Sequence, residues 1–239
     1  MTSASEPLRF EIRTHRARPR RSWRRAFRAL RELLSDPDRT YLAFDINLAL
    51  DPEMAERGLL RMLEHPEGRR VFAARPCLRE HLCNRAALAA LPEESFGRAY
   101  LAHLDRHSLD PAKLAVLGRE TDRRRPHEDR AVMWARERQV MTHDLLHVLT
   151  GYGADSAGES ALLLFSLGQV GGYSNLVLSF GANARMLQER GFGWLRIAWR
   201  AWRRGRRATC LGALPYEELL PLPLAAVGAA AEIEPLEPA

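Results

Sequence analysis

Residues 143–159 read HDLLHVLTGYGADSAGE, two helical segments joined by glycines. We predict that one long helix runs from about Asp129 to Thr150 and ends at Gly151 and Gly153, because glycine often closes a helix. A second helix is predicted to begin at Ser156 and to run antiparallel to the first. The two helices therefore form a hairpin whose facing sides bring distant residues together.

The composition of the whole chain also favours helices. Hydrophobic residues make up 46% of the 239 residues, which is enough for a core. Alanine, leucine, arginine and glutamate dominate, whereas the β-branched residues that favour strands are scarce. We therefore predict an all-α, single-domain helical bundle at residues 22–228. A flexible arginine-rich arm is expected at 1–21 and a flexible tail at 229–239.

Apolar spacing and turn residues place further helices along the chain. Asp51 and Pro52 are predicted to cap and open a helix that reaches Leu63, because aspartate caps free backbone N–H groups and proline fits the first turn. The charged residues 118–129 are predicted to form an exposed loop. Other helices are expected at residues 23–34, 40–50, 68–74 and 96–107, with a short one after Asp110-Pro111.

The positive charge of the chain is concentrated at its N-terminus. Residues 1–31 contain ten arginines and two glutamates, a charge of +8, whereas the whole chain carries +6, which leaves −2 for residues 32–239. Such a near-neutral body argues against a nucleic-acid-binding protein. The cysteines Cys77, Cys83 and Cys210 form neither a CxxC pair nor a disulfide framework, and we expect no secretory signal, so a reducing compartment is predicted.

Residues 160–184 form a run of 25 residues without a charge. A run of that length invites a transmembrane interpretation. Its polar residues Gln169, Asn175 and Asn183 and the pair Gly171-Gly172 make a poor lipid-facing helix. We therefore predict a buried pair of helices instead.

The same hairpin carries a candidate metal site. His143 and His147 stand four residues apart, so on a helix both imidazoles project from one face and can reach one ion. Glu159 begins the uncharged run, where a carboxylate is costly unless it is paired or metal-bound. A hairpin would present these three residues to one point, the layout of an open zinc site. The alternative is that Glu159 only caps its helix while the histidines hydrogen bond locally.

Asp144 has two predicted roles. On an ideal helix it points about 100° away from His143, because successive residues are rotated by that angle. It is therefore either a ligand reached by a bend or a hydrogen-bond partner that orients a ligand.

These residues resemble a known signature. His143-Asp144-x-x-His147, followed after eleven residues by Glu159, is similar to the HDxxHx11E motif of the coenzyme Q (ubiquinone) biosynthesis family whose eukaryotic members are mitochondrial. Further segments resemble the same family: residues 91–100 (LPEESFGRAY), Gly158-Glu159 with Gln169 and Gly171, and residues 216–224 (YEELLPLPL). The chain departs from the family pattern at Val140, Leu163, Ser166 and Tyr173. These departures indicate a divergent branch.

The resemblance implies an all-helical protein that binds Zn²⁺ or another divalent metal through His143, Asp144, His147 and Glu159. It also implies a substrate, a polyprenylated aromatic precursor derived from 4-hydroxybenzoate, which loses the carboxylate at ring carbon 1 by metal-dependent oxidative decarboxylation. The metal would polarise the carboxylate or phenolate of the head group, with Asp144 and Glu159 as catalytic residues. Other quinone-biosynthesis enzymes are the expected partners, and a homodimer is compatible with the resemblance.

A lipid substrate requires an apolar groove and access to a membrane. The uncharged run contains six small residues: Gly168, Gly171, Gly172, Ser174, Ser179 and Gly181. They can line a groove for the prenyl tail, or they can simply allow tight helix packing. Residues 192–207, FGWLRIAWRAWRRGRR, interleave Trp194, Trp199 and Trp202 with arginines, as helices that face anionic lipid do. We therefore predict a cytoplasmic protein, peripheral on the inner membrane of a bacterium. A solvated helix with partly buried tryptophans and a nucleic-acid surface are the alternatives.

Residue spacing gives less support to a second metal site and to other functions. His103 and His107 are four apart but lack a third ligand at a sensible distance, so we predict surface histidines. A metal-dependent phosphohydrolase would need a further histidine and aspartate, for which the chain offers only His127 and Asp155. The remaining rival is a non-catalytic scaffold that presents a prenyl lipid to quinone-biosynthesis enzymes.

Overall fold

The computed structural model describes residues 20–36, 39, 41–116 and 129–236, and within them the fold is all-α, as predicted. The predicted arm falls largely outside these residues, as does the predicted loop up to residue 128. Residues 111–116 are also helical and are called α8. The seven helices before α8 are α1 (Trp23–Ser35), α2 (Tyr41–Leu50), α3 (Met54–Glu64), α4 (Pro66–Ala74), α5 (Leu78–Cys83), α6 (Arg85–Ala89) and α7 (Phe96–His107).

The second half of the described chain holds the longest helices. They are followed by a short 3₁₀ turn, Leu211–Ala213, and by two short C-terminal helices. In order, the α-helices are α9 (Arg130–Met141), α10 (His143–Thr150), α11 (Ser156–Val170), α12 (Tyr173–Arg190), α13 (Gly193–Arg207), α14 (Tyr216–Leu219) and α15 (Leu224–Ala230).

The long helix predicted for residues 129–150 is in fact two helices, and this prediction was wrong at Thr142. The Thr142 hydroxyl donates to the Gln139 carbonyl at 2.9 Å, so a side chain satisfies a backbone carbonyl in the last turn of α9. The helices on the two sides of this break have different neighbours. α9 packs against α3 and α5, whereas α10 packs against α7. α10 therefore starts at His143, immediately after the break.

The predicted hairpin of α10 and α11 is confirmed. Gly151 follows α10 with a φ of +76°, a left-handed conformation that glycine adopts without a Cβ clash. Asp155 caps α11 by accepting from the Gly158 N–H at 2.8 Å. The N-cap is thus Asp155, and Glu159 is free for another role.

The core has three parts, and the largest includes the hairpin. The largest joins α7, α10 and α11 to the C-terminal helices and includes Phe96, Tyr100, Leu145 and Phe165. A second part packs α1 and α2 against α12. A third packs α3 and α4 against α9.

The small residues of the uncharged run serve helix packing. An added Cβ at Gly168 would collide with the Trp202 carbonyl, and one at Gly205 would collide with the Phe165 carbonyl. The backbones of α11 and α13 therefore cross in direct contact. Gly181 gives room to Leu30 of α1 in the same way. A groove for a prenyl tail is not seen along this run in the described residues. Across the described part of the chain, every helix is too short or too polar to cross a membrane.

Asp51 does not cap α3, contrary to the prediction. The residue before α3 is Glu53, and it makes no side-chain cap. The buried carboxylate of Asp51 accepts instead from the Ser174 N–H at 2.6 Å and the Ser174 hydroxyl at 2.7 Å, and from Arg57 at 3.0 Å. Asp51 therefore holds the start of α12, a tertiary contact that local spacing does not reveal.

Part of the C-terminal segment, for which a flexible tail is predicted, packs against the body of the fold, whereas Glu234, Pro235 and Leu236 are exposed. Ala231 and Ile233 are buried in the largest core cluster. The Thr209 N–H donates to the Ala231 carbonyl at 3.0 Å, and Arg204 donates to the carbonyl of Glu234. Apolar burial and these hydrogen bonds hold the segment against α13. Residues 237–239 lie outside the described part.

Candidate metal centre

Two helix starts place the candidate ligands. His143 is the first residue of α10, His147 lies one turn later, and Glu159 lies in the first turn of α11. One potential ligand atom from each of the three lies within 4.8 Å of the other two. The hairpin therefore brings together the three residues that the sequence selected.

The carboxylate of Glu159 stands between the two imidazoles. Its Oε1 is 3.1 Å from His147 Nε2, and its Oε2 is 3.8 Å from His143 Nε2. The His147 side chain is 1% exposed, whereas Glu159 is 42% exposed. The site is thus closed on the His147 side and open to solvent on the Glu159 side.

His147 is oriented by the loop of the hairpin. Its Nδ1 lies 3.1 Å from the Tyr152 carbonyl, a contact that requires the proton on Nδ1. In the neutral ring, Nε2 is then left with a lone pair, whereas in the protonated ring it carries a hydrogen towards Glu159. Within the described chain this buried atom makes no hydrogen bond, although Oε1 of Glu159 lies 3.1 Å away. A buried Nε2 lone pair facing a carboxylate and a second imidazole suits a divalent ion.

Asp144 orients a ligand in this structure. It is 6% exposed, and its Oδ1 accepts from His143 Nδ1 at 3.1 Å. It is not one of the three residues whose ligand atoms cluster. Of the two roles predicted for Asp144, the geometry supports the hydrogen-bond partner, since carboxylate-bound histidines are common around metals.

The two carboxylates give the site negative charge at neutral pH. Burial raises the pKa of Glu159, but His147 and His143 outweigh it, and the net pKa lies below the usual range. Burial also raises the pKa of Asp144, but the hydrogen bond with His143 outweighs burial, so the net pKa of Asp144 also lies below the usual range. Burial opposes the protonation of His143, but the hydrogen bond with Asp144 and the charges of Glu159 and Asp144 outweigh burial and raise the pKa of His143. Such a site attracts a cation.

His103 belongs to the surroundings of this site, which corrects the surface position predicted for it. Its ring stacks on that of His147, with centroids 5.5 Å apart and an angle of 17°. Burial, and then His147, lower the pKa of His103 to about 4. The sequence held a signal for this placement, since His103 falls on the face of α7 that carries Phe96, Tyr100 and Leu104, all buried.

The tryptophans of α13 divide between core and surface. Trp194 is buried, and its indole N–H donates to Asn183 at 2.8 Å. Trp199 and Trp202 are 53% and 38% exposed. Arg203 lies over the Trp199 ring at 4.9 Å, and Arg206 lies over the Trp202 ring at 5.7 Å. The aromatic and basic character predicted for this surface is therefore real, but Trp194 takes no part in it.

The fold and the site together define a helical protein with a candidate divalent-metal centre built on a helix hairpin. The family model of the coenzyme Q (ubiquinone) biosynthesis protein Coq4 matches residues 48–237. The chain belongs to this family.

Known proteins agree with this assignment. The chain is 32% identical to the mitochondrial ubiquinone biosynthesis protein COQ4 homolog of Bos taurus over 170 residues, 70% of this chain and 61% of the relative. It is 35% identical to COQ4 homolog 2 of Culex quinquefasciatus, also mitochondrial, over 43% of each chain. The chain therefore spans less than two thirds of the length of these relatives.

A solved structure has the same fold. The crystal structure of a proposed ubiquinone biosynthesis protein from Nostoc punctiforme superposes with a TM-score of 0.63. The match covers 90% of this chain and 99% of that chain at 19% sequence identity. At this identity the likeness establishes the fold alone.

Proposed function

We propose that the protein acts in ubiquinone biosynthesis as a divalent-metal-dependent enzyme on the aromatic head group of a polyprenylated quinone precursor. The observation that carries the proposal is the buried Nε2 of His147, which lacks a hydrogen-bond partner and faces Glu159 and His143. Membership of the Coq4 family supplies the pathway. The proposed reaction class is oxidative loss of the carboxylate at ring carbon 1, with an oxidant as co-substrate.

The residues of the site have separate tasks in this proposal. His143, His147 and Glu159 would hold the ion, which could be Zn²⁺ or another divalent metal. When bound, it supplies a Lewis acid that polarises a carboxylate or phenolate oxygen of the head group. Asp144 keeps the His143 proton on Nδ1 and so keeps Nε2 directed at the site. The exposed sides of His143 and Glu159 leave room for the head group.

A membrane-surface location is the second part of the proposal. The exposed residues of α13 combine apolar and basic side chains, and we call them the tryptophan–arginine surface: Leu195, Arg196, Ile197, Trp199, Arg200, Trp202, Arg203 and Arg206. Indole rings favour the headgroup level and guanidinium groups favour anionic lipid. Peripheral binding would bring the enzyme to a lipid substrate and to other quinone-biosynthesis enzymes. A homodimer stays a prediction that light scattering tests.

Complementation tests the function. In a bacterial strain that lacks its own member of the family, we expect the wild-type chain to restore ubiquinone. His147→Ala and Glu159→Ala should fail and accumulate a precursor that retains the C1 carboxylate, as measured by mass spectrometry of lipid extracts. His65→Ala and Glu218→Ala are matched controls, since both residues are exposed and lie outside the site.

The scaffold is the alternative that this experiment separates. Ubiquinone restored to wild-type levels by His147→Ala and Glu159→Ala would favour a non-catalytic protein that presents a prenyl lipid. A phosphohydrolase gains no support from the structure, because Asp155 is engaged as the cap of α11 and His127 lies outside the described residues.

A further inference from the structure

Helix α7 directs two polar side chains at the back of the metal centre. Tyr100 is fully buried, and its hydroxyl has no hydrogen-bond partner in the described chain. His103, one turn later on the same face, stacks on His147 and has a buried Nε2 without a partner. α7 packs against α10, and the stack of His103 on His147 lies in this contact.

The facing residues of α10 also have spare hydrogen-bonding capacity. The Asp144 carboxylate is buried, and the hydrogen bond described for it comes from His143 alone. A carboxylate has room for about four hydrogen bonds. Asp144 and His147 stand three residues apart on α10, as Tyr100 and His103 do on α7, and the stack of His103 on His147 brings these two helix faces together. Three polar groups with unused capacity are thus neighbours in one helix interface.

Such a group of unpaired buried atoms is expensive in an otherwise closed interface. Each one costs about 1–3 kcal/mol if nothing pairs with it. Buried water molecules commonly remove this cost by making two to four hydrogen bonds to groups of this kind. These three groups can all hydrogen bond to one water molecule. A tyrosine hydroxyl donates to it, whereas a carboxylate and the unprotonated nitrogen of a neutral imidazole accept from it.

We propose that Tyr100 and His103 form an inner subsite that holds a water molecule between α7 and α10, and that through it they position Asp144 and His147 at the metal centre. The Tyr100 hydroxyl donates to the water, and the water donates to the Asp144 carboxylate and to His103 Nε2. The stacked His103 ring also fixes the plane of the His147 imidazole. Tyr100 and His103 are positioning residues, and their role rests on the proposed metal centre.

Electron density tests the subsite independently of any metal. A high-resolution crystal structure of the metal-free protein is expected to contain a water molecule within hydrogen-bonding distance of both the Tyr100 hydroxyl and His103 Nε2. An interface without that density, or a direct hydrogen bond between protein groups in its place, overturns the proposal.

Substitutions test the positioning role. Tyr100→Phe and His103→Phe keep the rings and remove the polar atoms, and each is expected to weaken Zn²⁺ binding about ten-fold, the lower end of what orienting partners contribute. Affinity is measured by competition with a chromophoric chelator, and the visible spectrum of the Co²⁺-loaded protein should shift. His103→Gln should restore part of the affinity.

Tyr216→Phe is the matched control. Tyr216 is also buried with an unpartnered hydroxyl, but it packs against Phe96 and Arg138. Its substitution should leave Zn²⁺ affinity and the Co²⁺ spectrum unchanged. If Tyr100→Phe and His103→Phe behave like this control, the positioning role is wrong while the metal centre stands. If the wild type binds no metal, the metal centre and the positioning role both fail, and the density alone decides the subsite.

Discussion

The Nε2 atom of His147 lies 3.1 Å from Oε1 of Glu159, although the two residues belong to different helices. The other ring nitrogen of His147 is held by the carbonyl of Tyr152, in the loop that joins these helices. The turn that reverses the chain therefore also sets the tautomer of a candidate ligand. A site built in this way can lose its ligands without losing its scaffold, so metal binding and folding can be tested separately.

Asp144→Asn is expected to weaken Zn²⁺ binding about 10- to 100-fold without abolishing it, since partners that orient histidine ligands contribute about that much. The amide keeps the size of the side chain but loses the charge that holds the His143 proton on Nδ1. Chelator competition measures the effect. Asp105→Asn, at an exposed aspartate paired with Arg85, is the control and should bind like wild type. Complete loss of binding in Asp144→Asn would instead indicate that Asp144 is itself a ligand.

Asp51→Asn is expected to destabilise the fold by about 1–3 kcal/mol, because a buried carboxylate that accepts three hydrogen bonds is replaced by an amide. Urea denaturation of the metal-free protein measures this free energy. Asp105→Asn serves again as the control, and it should unfold within error of wild type. Equal midpoints for all three proteins would show that Asp51 does not hold α12.

The same residue predicts a pH dependence. Burial raises the pKa of Asp51, but Ser174 and then Arg57 outweigh it, so the folded pKa lies below the ordinary 3.8. A lowered pKa means that the stabilisation is complete above pH 3.8 and is lost as pH falls through the folded pKa. The stability of wild type should therefore fall more steeply below this pH than that of Asp51→Asn. Parallel curves would contradict the assignment.

Glycine substitutions test the crossing of α11 and α13. Gly205→Ala should destabilise the protein by about 1–3 kcal/mol, because the new methyl group would collide with the Phe165 carbonyl. Gly58→Ala is the matched control within a helix, where nothing lies within 4 Å of the added Cβ. It should stabilise by about 0.5–1 kcal/mol through helix propensity. Changes of the same sign in both variants would contradict the close crossing.

Vesicle binding tests the tryptophan–arginine surface. Trp199→Gln with Trp202→Gln should reduce cosedimentation with vesicles that contain anionic phospholipid, and raised salt should reduce wild-type binding as well. Leu60→Gln removes an apolar side chain of similar exposure from α3 and should have no effect. Equal binding by the double variant, or equal binding to zwitterionic vesicles, would exclude this surface as the membrane contact.

The sequence predicted those features that depend on neighbours along the chain. The bounds of α7, the glycine at the end of α10 and the hairpin all follow from local spacing and turn chemistry. His143, His147 and Glu159 could be selected because helical periodicity and a short loop relate them.

The features that the sequence did not predict depend on tertiary contacts. Asp51 looked like a cap for the helix after it, yet its partner is Ser174, far along the chain. His103 looked isolated because its neighbour His147 lies on another helix. The break at Thr142 separates two helices that pack against different neighbours, and residue spacing carries no information about those neighbours.

The most direct test of the metal centre is elemental mass spectrometry of the purified protein, with a double variant that carries His147→Ala and Glu159→Ala. The site predicts about one divalent ion per wild-type chain, as in other three-ligand centres, and none in the variant, while both fold alike by circular dichroism. A wild-type protein that carries no metal after reconstitution, or a variant that keeps it, would contradict the centre.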